Sequence, residues 1–288
     1  MGSPRIAITG ATGYLGSILV QHMSQYGQVV ALTRSRPVDE TLEWRHFELD
    51  EPIEASSLAD VDILIHAAWV LSGKDTGELW QQNVVGSRRL VEAASVAGVG
   101  RIIFISSMSA YFGTRQTYGL MKLAVERTVL DMGGIVIRPG LVYGDSPGGM
   151  AGTLRTLSKL PIWPRFASAK LFLVHDGDIG PAMAAVIDDY DRMSSETIGF
   201  ANPTPLDLSS ILTGLSLTRR RRPSVPTPAR PIIAVLRVLE GAGVPMPFRS
   251  DSLLGLIEAA TTLPGENLMA QQHIAFRALD ESVPRPSR

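Results

Sequence analysis

Residues 5–16 read Arg5-Ile6-Ala7-Ile8-Thr9-Gly10-Ala11-Thr12-Gly13-Tyr14-Leu15-Gly16. An apolar run of strand length passes straight into glycines at intervals of three. It continues into Tyr14–Tyr26, where apolar residues recur at three and four as on a helix. The residue types follow from what a strand–turn–helix unit needs at that spacing. Gly10 lets the chain turn tightly, Gly13 lets backbone approach a ligand, and Gly16 lets the helix pack close to the strand. The start of the helix then offers unpaired N–H groups and the positive end of a dipole, which together suit a phosphate.

The same alternation extends outward from this stretch. Short apolar runs stand at Arg5–Thr9, Gln28–Thr33, Trp44–Glu48, Asp62–His66, Arg101–Ser106 and Gly134–Arg138. Helical periodicity separates them at Tyr14–Tyr26, Glu78–Ala97 and Tyr118–Met132. Runs such as Ile102-Ile103-Phe104-Ile105 are apolar on both faces, as a parallel sheet covered by helices demands. The spacing predicts an α/β fold with a doubly wound parallel sheet of Rossmann type. In that context the glycine loop reads as a dinucleotide site, with Gly10, Thr12, Gly13, Tyr14, Leu15 and Gly16 as candidate cofactor contacts.

After Tyr143 the pattern changes to a glycine-rich loop, a helix and the proline-punctuated stretch Leu160–Arg165. A strand–helix–strand unit follows at Leu171–Val174, Ile179–Tyr190 and Thr197–Ala201, and is assigned back to the first unit. The expected division is a dinucleotide-binding domain over 1–143 plus 171–201. A smaller, discontinuous substrate-side lobe takes 144–170 plus 202–288 and ends in a frayed tail.

Bulk composition excludes several classes of function. The 288 residues carry 27 Lys and Arg against 28 Asp and Glu, a net charge of -1. Such a balance gives no global attraction for nucleic acid or an anionic membrane, so neither is expected as a partner. With no cysteine there are no disulfides, thiolate metal sites or cysteine nucleophiles. No apolar stretch is long enough to span a bilayer and no secretory signal is visible, so a cytoplasmic location is expected. No metal site is expected either. His66 reads as a ring lining a pocket, His175 as part of a polar loop, and Asp178 as a helix-start charge. The run Arg219–Arg222, followed by Pro223 and Pro226, reads as a solvated strand edge.

The end of the second strand reads Leu32-Thr33-Arg34-Ser35-Arg36, with no acid before Asp39. A carboxylate there would bond a ribose 2′-hydroxyl, whereas arginines attract a 2′-phosphate. Arg34 and Arg36 therefore favour NADP over NAD as the cofactor.

Tyr118 and Lys122 stand four apart in a helical stretch and so share one face. An ammonium beside a phenol favours the phenolate, which would lower the tyrosine pKa and make it a usable acid or base. The pair follows Arg101–Ser107, a strand that ends in hydroxyls. Ligands bind outside the carboxyl ends of such strands.

Taken together, these pieces resemble the extended or atypical branch of the short-chain dehydrogenase/reductase superfamily, the NAD-dependent epimerase/dehydratase family. The resemblance covers about Arg5 to Ala201. Its pieces stand in the family's order: the glycine loop, Leu49-Asp50, His66-Ala67-Ala68, Asn83 with Gly86, Ser106-Ser107, Tyr118/Lys122, and Arg138-Pro139-Gly140-Leu141-Val142-Tyr143-Gly144. It implies that Asp50 contacts the adenine, that Ala67 and Ala68 line the cofactor, and that Pro139, Gly140 and Val142 sit by the carboxamide. Asn83 and Ser106 join the cofactor set. Lys122 would hold the nicotinamide ribose and tune Tyr118, the proton carrier.

A serine would orient the substrate oxygen. Counting from the strand end gives Ser107, with Ser109 in reserve, because counting back from Gly113 lands on Met108. Trp69, Met108, Tyr111 and Tyr143 fall beside strand ends, where each can line the substrate pocket or belong to the core. In many relatives the helices Glu78–Ala97 and Tyr118–Met132 form a dimer face, so a homodimer stays open.

The resemblance implies a hydride-transferring oxidoreductase acting on a small-molecule ketone or secondary alcohol. The alternatives are a nucleotide-sugar epimerase that retains its cofactor and a non-catalytic NAD(P)-binding sensor or structural subunit. Leu141, where nucleotide-sugar relatives often carry Asn, counts against the epimerase. Met108-Ser109-Ala110 lacks the acid pair that a 4,6-dehydratase needs.

Overall fold

Apolar residues on both faces of the inner strands leave those strands no solvated side, and the chain buries them between two layers of helix. The computed structural model describes residues 2–145, 148–166, 170–216, 222–241 and 250–279. Strands β1 (Arg5–Thr9), β2 (Gln28–Thr33), β3 (Glu43–His46), β4 (Ile63–His66), β5 (Arg101–Ile105) and β6 (Ile135–Pro139) come first. Then follow β7 (Leu141–Tyr143), β8 (Trp163–Arg165), β9 (Lys170–Leu171), β10 (Leu173–His175), β11 (Thr197–Phe200), β12 (Leu206–Asp207) and β13 (Ser224–Pro226).

The central sheet has seven strands in the order β11-β6-β5-β4-β1-β2-β3. Every pair in it is parallel. The chain winds outward from β1 to β3, then returns to β4 and winds the other way. The crevice outside the carboxyl ends of β1 and β4 is therefore the topological switch point where such sheets bind ligands.

The first helices are α1 (Tyr14–Met23), α2 (Thr76–Trp80), α3 (Gly86–Val96), α4 (Thr117–Asp131), α5 (Gly149–Leu157) and α6 (Asp176–Asp188). They are followed by α7 (Tyr190–Met193), α8 (Leu208–Leu215), α9 (Ala229–Gly241), α10 (Ser250–Ile257) and α11 (Glu266–Gln271). Alternation along each strand sorts the core. Ile6, Ile8, Ile63, Ile65, Ile103 and Ile105 pack on α1 and α6 through Leu19, Met23, Ile179 and Met183. Ala7, Leu64 and Phe104 face the other way, onto Leu90 and Val91 of α3 and Val125 and Val129 of α4. A third core joins Tyr143, Leu154, Trp163, Leu173, Ile211, Leu212 and Leu256 from the smaller elements.

The expected doubly wound sheet is present, with three local differences. The edge beside β6 is taken by β11, Thr197 pairing with Val136, so the run around Leu171–Val174 cannot join the central sheet. It divides into β9 and β10, and β10 pairs with β7 instead. Tyr143 is only 1% exposed in the third core, so it packs the interior rather than lining a pocket. The long helix expected over Glu78–Ala97 is α2 and α3 joined by one wider, π-type turn at Gln81–Val85.

Of Arg219–Arg222, residues 219–221 lie outside the described residues, as does the expected tail after 279. Arg222 stands just ahead of β13. Among the described residues, no helix is long and apolar enough to cross a membrane.

Candidate active site

The site lies along the carboxyl edge of the central sheet, and the glycine loop opens it. Gly10 has φ +67, and a Cβ there would stand 2.8 Å from the Ala68 Cα. A Cβ on Gly16 would stand 2.0 Å from the Gly10 carbonyl oxygen, so only glycine lets α1 come this close to the turn. Helix α1 begins with Gly13 as its N-cap, with no side-chain cap and no acid in its first turn. Thr12 and Gly13 are exposed, while Tyr14 and Leu15 are half-buried. Uncapped N–H groups and a dipole end facing an open crevice fit an anionic pyrophosphate.

Thr9, at the end of β1, organises the opposite wall. Its Oγ1 accepts from the backbone N–H groups of Ala67 and Ala68, each at 3.0 Å. With its lone pairs so engaged, its own proton goes to His66 Nδ1 at 2.7 Å. His66 Nε2 then carries the ring proton and donates to Ser87 Oγ at 2.8 Å. Burial, and secondly the charge of Lys122, push the His66 pKa down to about 3, so the ring is neutral. His66 therefore does not line a pocket. It is fully buried, and through Thr9 it fixes the loop at Ala67 and Ala68.

Asn83, expected at the cofactor, is also fully buried. From the wide turn its Nδ2 donates to Val70 O (2.9 Å) and its Oδ1 accepts from Val70 N (2.8 Å), which fastens the same loop from behind.

Tyr118, Lys122 and Ser107 come together at the end of β5. Ser107 is near enough to the Tyr118 hydroxyl to pull its pKa down, and its Oγ accepts from Ser109 N at 3.1 Å. It is Ser107, the residue counted from the strand end, that meets the tyrosine. Lys122 Nζ donates to Ile105 O at 2.8 Å and lies 3.7 Å from the centroid of the Trp69 ring and 5.7 Å from that of Tyr118. The Trp69 ring stands edge-on to Tyr118, 5.8 Å between centroids.

The electrostatics differ from the sequence expectation. Burial pushes the Tyr118 hydroxyl up to about 12 against the opposing hydrogen bond from Ser107. Burial also drives the Lys122 ammonium well below its usual range, with Glu126 pulling the other way. Lys122 does not lower the tyrosine pKa here, because desolvation outweighs a charge that is turned toward Ile105 and Trp69. Without added charge the phenol is a protonated acid at neutral pH.

Beneath Lys122 lies a pair that sequence reading missed. Arg138 donates from Nε and from its terminal nitrogen to Glu126, at 2.8 and 2.6 Å. Ser106, assigned to the cofactor set, gives its hydroxyl to the same carboxylate. Glu126 stands four residues after Lys122, one turn along the same face, and that spacing was the available signal.

The remaining expected residues are spread along the same edge. Arg34 and Arg36, past the end of β2, are exposed and bonded to no side-chain partner among the described residues; Asp50 is exposed after β3. Pro139 is buried, its carbonyl accepting from Met108 N at 3.2 Å, and Gly140 and Val142 are half-buried beside it. Met108 and Tyr111 are half-buried near Tyr118 in sequence and along the chain's path, Tyr111 giving its hydroxyl to Glu258 O at 3.1 Å. His175 caps α6 by accepting from Gly177 N, and Asp178 in that first turn pairs with Arg277 at 2.6 Å. Among the described residues, one group of possible metal ligands, His46, Glu48 and Glu51, brings its ligand atoms within 4.8 Å of one another at the end of β3.

Comparison with known proteins identifies the family. Residues 6–178 match the model of the NAD dependent epimerase/dehydratase family. The chain is 29% identical over 192 residues to ceramide reductase of Caulobacter vibrioides, covering 62% of this chain and 60% of that protein. It is also 29% identical over 168 residues to dTDP-6-deoxy-L-talose 4-dehydrogenase (NAD(P)(+)) of Kitasatospora kifunensis, covering 49% and 53%. The matches thus span somewhat over half the length of these relatives. Among solved structures, MoeE5 in complex with UDP-glucuronic acid and NAD superposes with a TM-score of 0.72 at 20% identity, over 96% of each chain, a likeness of fold. The chain belongs to the NAD dependent epimerase/dehydratase family.

Proposed function

We propose that the protein is an NAD(P)-dependent oxidoreductase that interconverts a ketone and a secondary alcohol, with Tyr118 as the proton carrier. The observation that carries this reading is Tyr118 beside Ser107, with Lys122 one turn along α4, at the sheet edge that also holds the uncapped glycine loop. The bound dinucleotide would supply or accept the hydride. Gly13, Tyr14 and Leu15 would bind its pyrophosphate, Ala67 and Ala68 would line it, and Pro139, Gly140 and Val142 would flank the nicotinamide end.

Tyr118 gives its Oη proton to the oxygen of a ketone being reduced and takes it back from an alcohol being oxidised. A hydroxyl held near pKa 12 is protonated at neutral pH, which suits the reducing direction. Ser107 orients the substrate oxygen. Lys122 Nζ stands beneath the tyrosine, where it would meet a nicotinamide ribose. The smaller lobe, 144–170 plus 202–288, would select the substrate.

NADP is the preferred cofactor in this reading, because Arg34 and Arg36 stand exposed with no carboxylate partner among the described residues, where a 2′-phosphate would lie. A second reading, an epimerase that recycles its cofactor, draws on the similarity to UDP-glucose 4-epimerase of Streptomyces lividans, 28% identical over 162 residues. A screen of carbonyl compounds against NADPH, followed at the reduced-nicotinamide absorbance, separates the two. Net oxidation of NADPH supports the oxidoreductase. Turnover of a nucleotide sugar without net change in absorbance supports the epimerase and overturns the first reading.

A further inference from the structure

The first turn of a helix leaves backbone N–H groups without partners, and a side chain at the N-cap usually takes one of them. Helix α4, which carries Tyr118 and Lys122, begins after Gln116, and Gln116 makes no such bond. Its amide points elsewhere, Nε2 donating to Glu258 O at 3.1 Å. The cap comes from a residue more than a hundred positions away. Asp251, in the first turn of α10, accepts from Thr117 N through Oδ1 at 3.1 Å and from Tyr118 N through Oδ2 at 3.3 Å.

Glu258, the residue just past the far end of α10, grips the same segment. Arg115 pairs with the Glu258 carboxylate, its Nε donating at 3.1 Å, and the Tyr111 hydroxyl reaches Glu258 O. Helix α10 is itself anchored, because Glu240 of α9 accepts from both the backbone N–H and the hydroxyl of Ser250 at 2.6 and 2.7 Å. Leu253 and Leu254 are buried, so the helix is seated rather than splayed. Residues 111–118 are thus clasped at two points by one helix of the C-terminal region.

We infer that Asp251 is a positioning residue for Tyr118. By capping the N–H of Tyr118 itself, it sets where the tyrosine enters α4, and so where its hydroxyl stands against Ser107. The placement of α10 is thereby coupled to the placement of the proton carrier. A carboxylate is suited to the task because its two oxygens hold adjacent N–H groups at once and carry the charge that a helix start favours. The inference rests on the reading of Tyr118 as the proton carrier, but the cap can be tested without it.

The test uses the full chain with Asp251→Ala and Asp251→Asn, the latter keeping one accepting oxygen. Hydrogen–deuterium exchange of the peptide 111–122 needs no substrate. Exchange there should quicken about tenfold in the alanine variant and return most of the way in the asparagine variant, as loss and recovery of a cap imply. NADPH titration should give the same Kd for all three proteins. With the ketone that reacts fastest in the NADPH screen, kcat should fall about tenfold or more in Asp251→Ala and recover in Asp251→Asn, with KM for NADPH unchanged.

Unchanged exchange at 111–122, or exchange that rises over the whole chain, overturns the cap. Quickened exchange with an unchanged kcat overturns the positioning role. An asparagine variant no better than alanine in either measurement does the same. Absence of NADPH oxidation with every ketone would count against the oxidoreductase reading instead, and the exchange result would still decide the cap.

Discussion

The Lys122 ammonium nitrogen lies 3.7 Å from the centre of the Trp69 ring, nearer than to the ring of Tyr118, its partner on α4. The indole is part of the cover over Nζ, and burial is what depresses the lysine pKa. Trp69→Ala should admit water and raise the Lys122 pKa toward its ordinary value. The chain has only four lysines, at 74, 122, 159 and 170, so side-chain nitrogen NMR across a pH series can follow Lys122 directly. A titration midpoint unchanged in Trp69→Ala would contradict this account.

The Glu126–Arg138 pair predicts a loss with a specific rescue. Glu126→Gln leaves a largely buried guanidinium without its counter-charge and should cost about 3 kcal/mol in a urea unfolding experiment. Changing Arg138→Met as well removes the stranded charge, so the double variant should recover much of that loss. Glu126 also raises the Lys122 pKa, so Glu126→Gln should lower it further. A double variant no more stable than the single one would rule out an uncompensated charge as the cause.

His66 makes stability depend on pH with a definite sign. Its pKa is about 3 in the fold and about 6.5 in an unfolded chain. Between those values the unfolded chain binds the extra proton. Stability is therefore full above about pH 6.5 and declines as pH falls toward 3, by at most about 1.4 kcal/mol per pH unit. The Tm measured from pH 7 down to pH 4 should fall in the parent protein and less steeply in His66→Gln. Equal slopes would show that the imidazole is not the titrating group.

How much of this was legible in the sequence depended on whether the cause was local. The inner strands were readable because Ile6 to Ile8 and Ile102 to Ile105 are apolar on both faces, a pattern set by near neighbours. The approach of α1 to the turn was likewise implied by Gly10 and Gly16, where added Cβ atoms would collide with backbone. Tyr118 and Lys122 shared a face as their spacing required, but the direction of the tyrosine pKa was misjudged. That direction depends on burial and on where Nζ points, and Trp69 after β4 and Ile105 at the end of β5 bear on it. The partners of His66, at Thr9 and Ser87, and the cap on α4 from Asp251 join residues far apart in the chain. Neither periodicity nor motif carries such contacts. The pairing of β10 with β7 was hidden for a similar reason, since it depends on β11 having taken the sheet edge.

Arg34 and Arg36 make the cofactor preference testable. Replacing both by Ala should weaken NADPH binding by about tenfold or more while leaving NADH within about twofold, since each charge-assisted bond to a phosphate contributes roughly 1.5–3 kcal/mol at most. Fluorescence titration of the two reduced cofactors measures it. Equal weakening of both, or tighter binding of NADH by the parent protein, would contradict the assignment to a 2′-phosphate.

The central claim is that Tyr118 moves the proton, and Tyr118→Phe tests it most directly, since it removes one oxygen from a ring whose packing against Trp69 is otherwise kept. Single-turnover NADPH oxidation with the best ketone from the screen should slow by about 100-fold or more, while the Kd for NADPH stays within about twofold. A Tyr118→Phe protein that oxidises NADPH at a rate close to that of the parent would contradict the account.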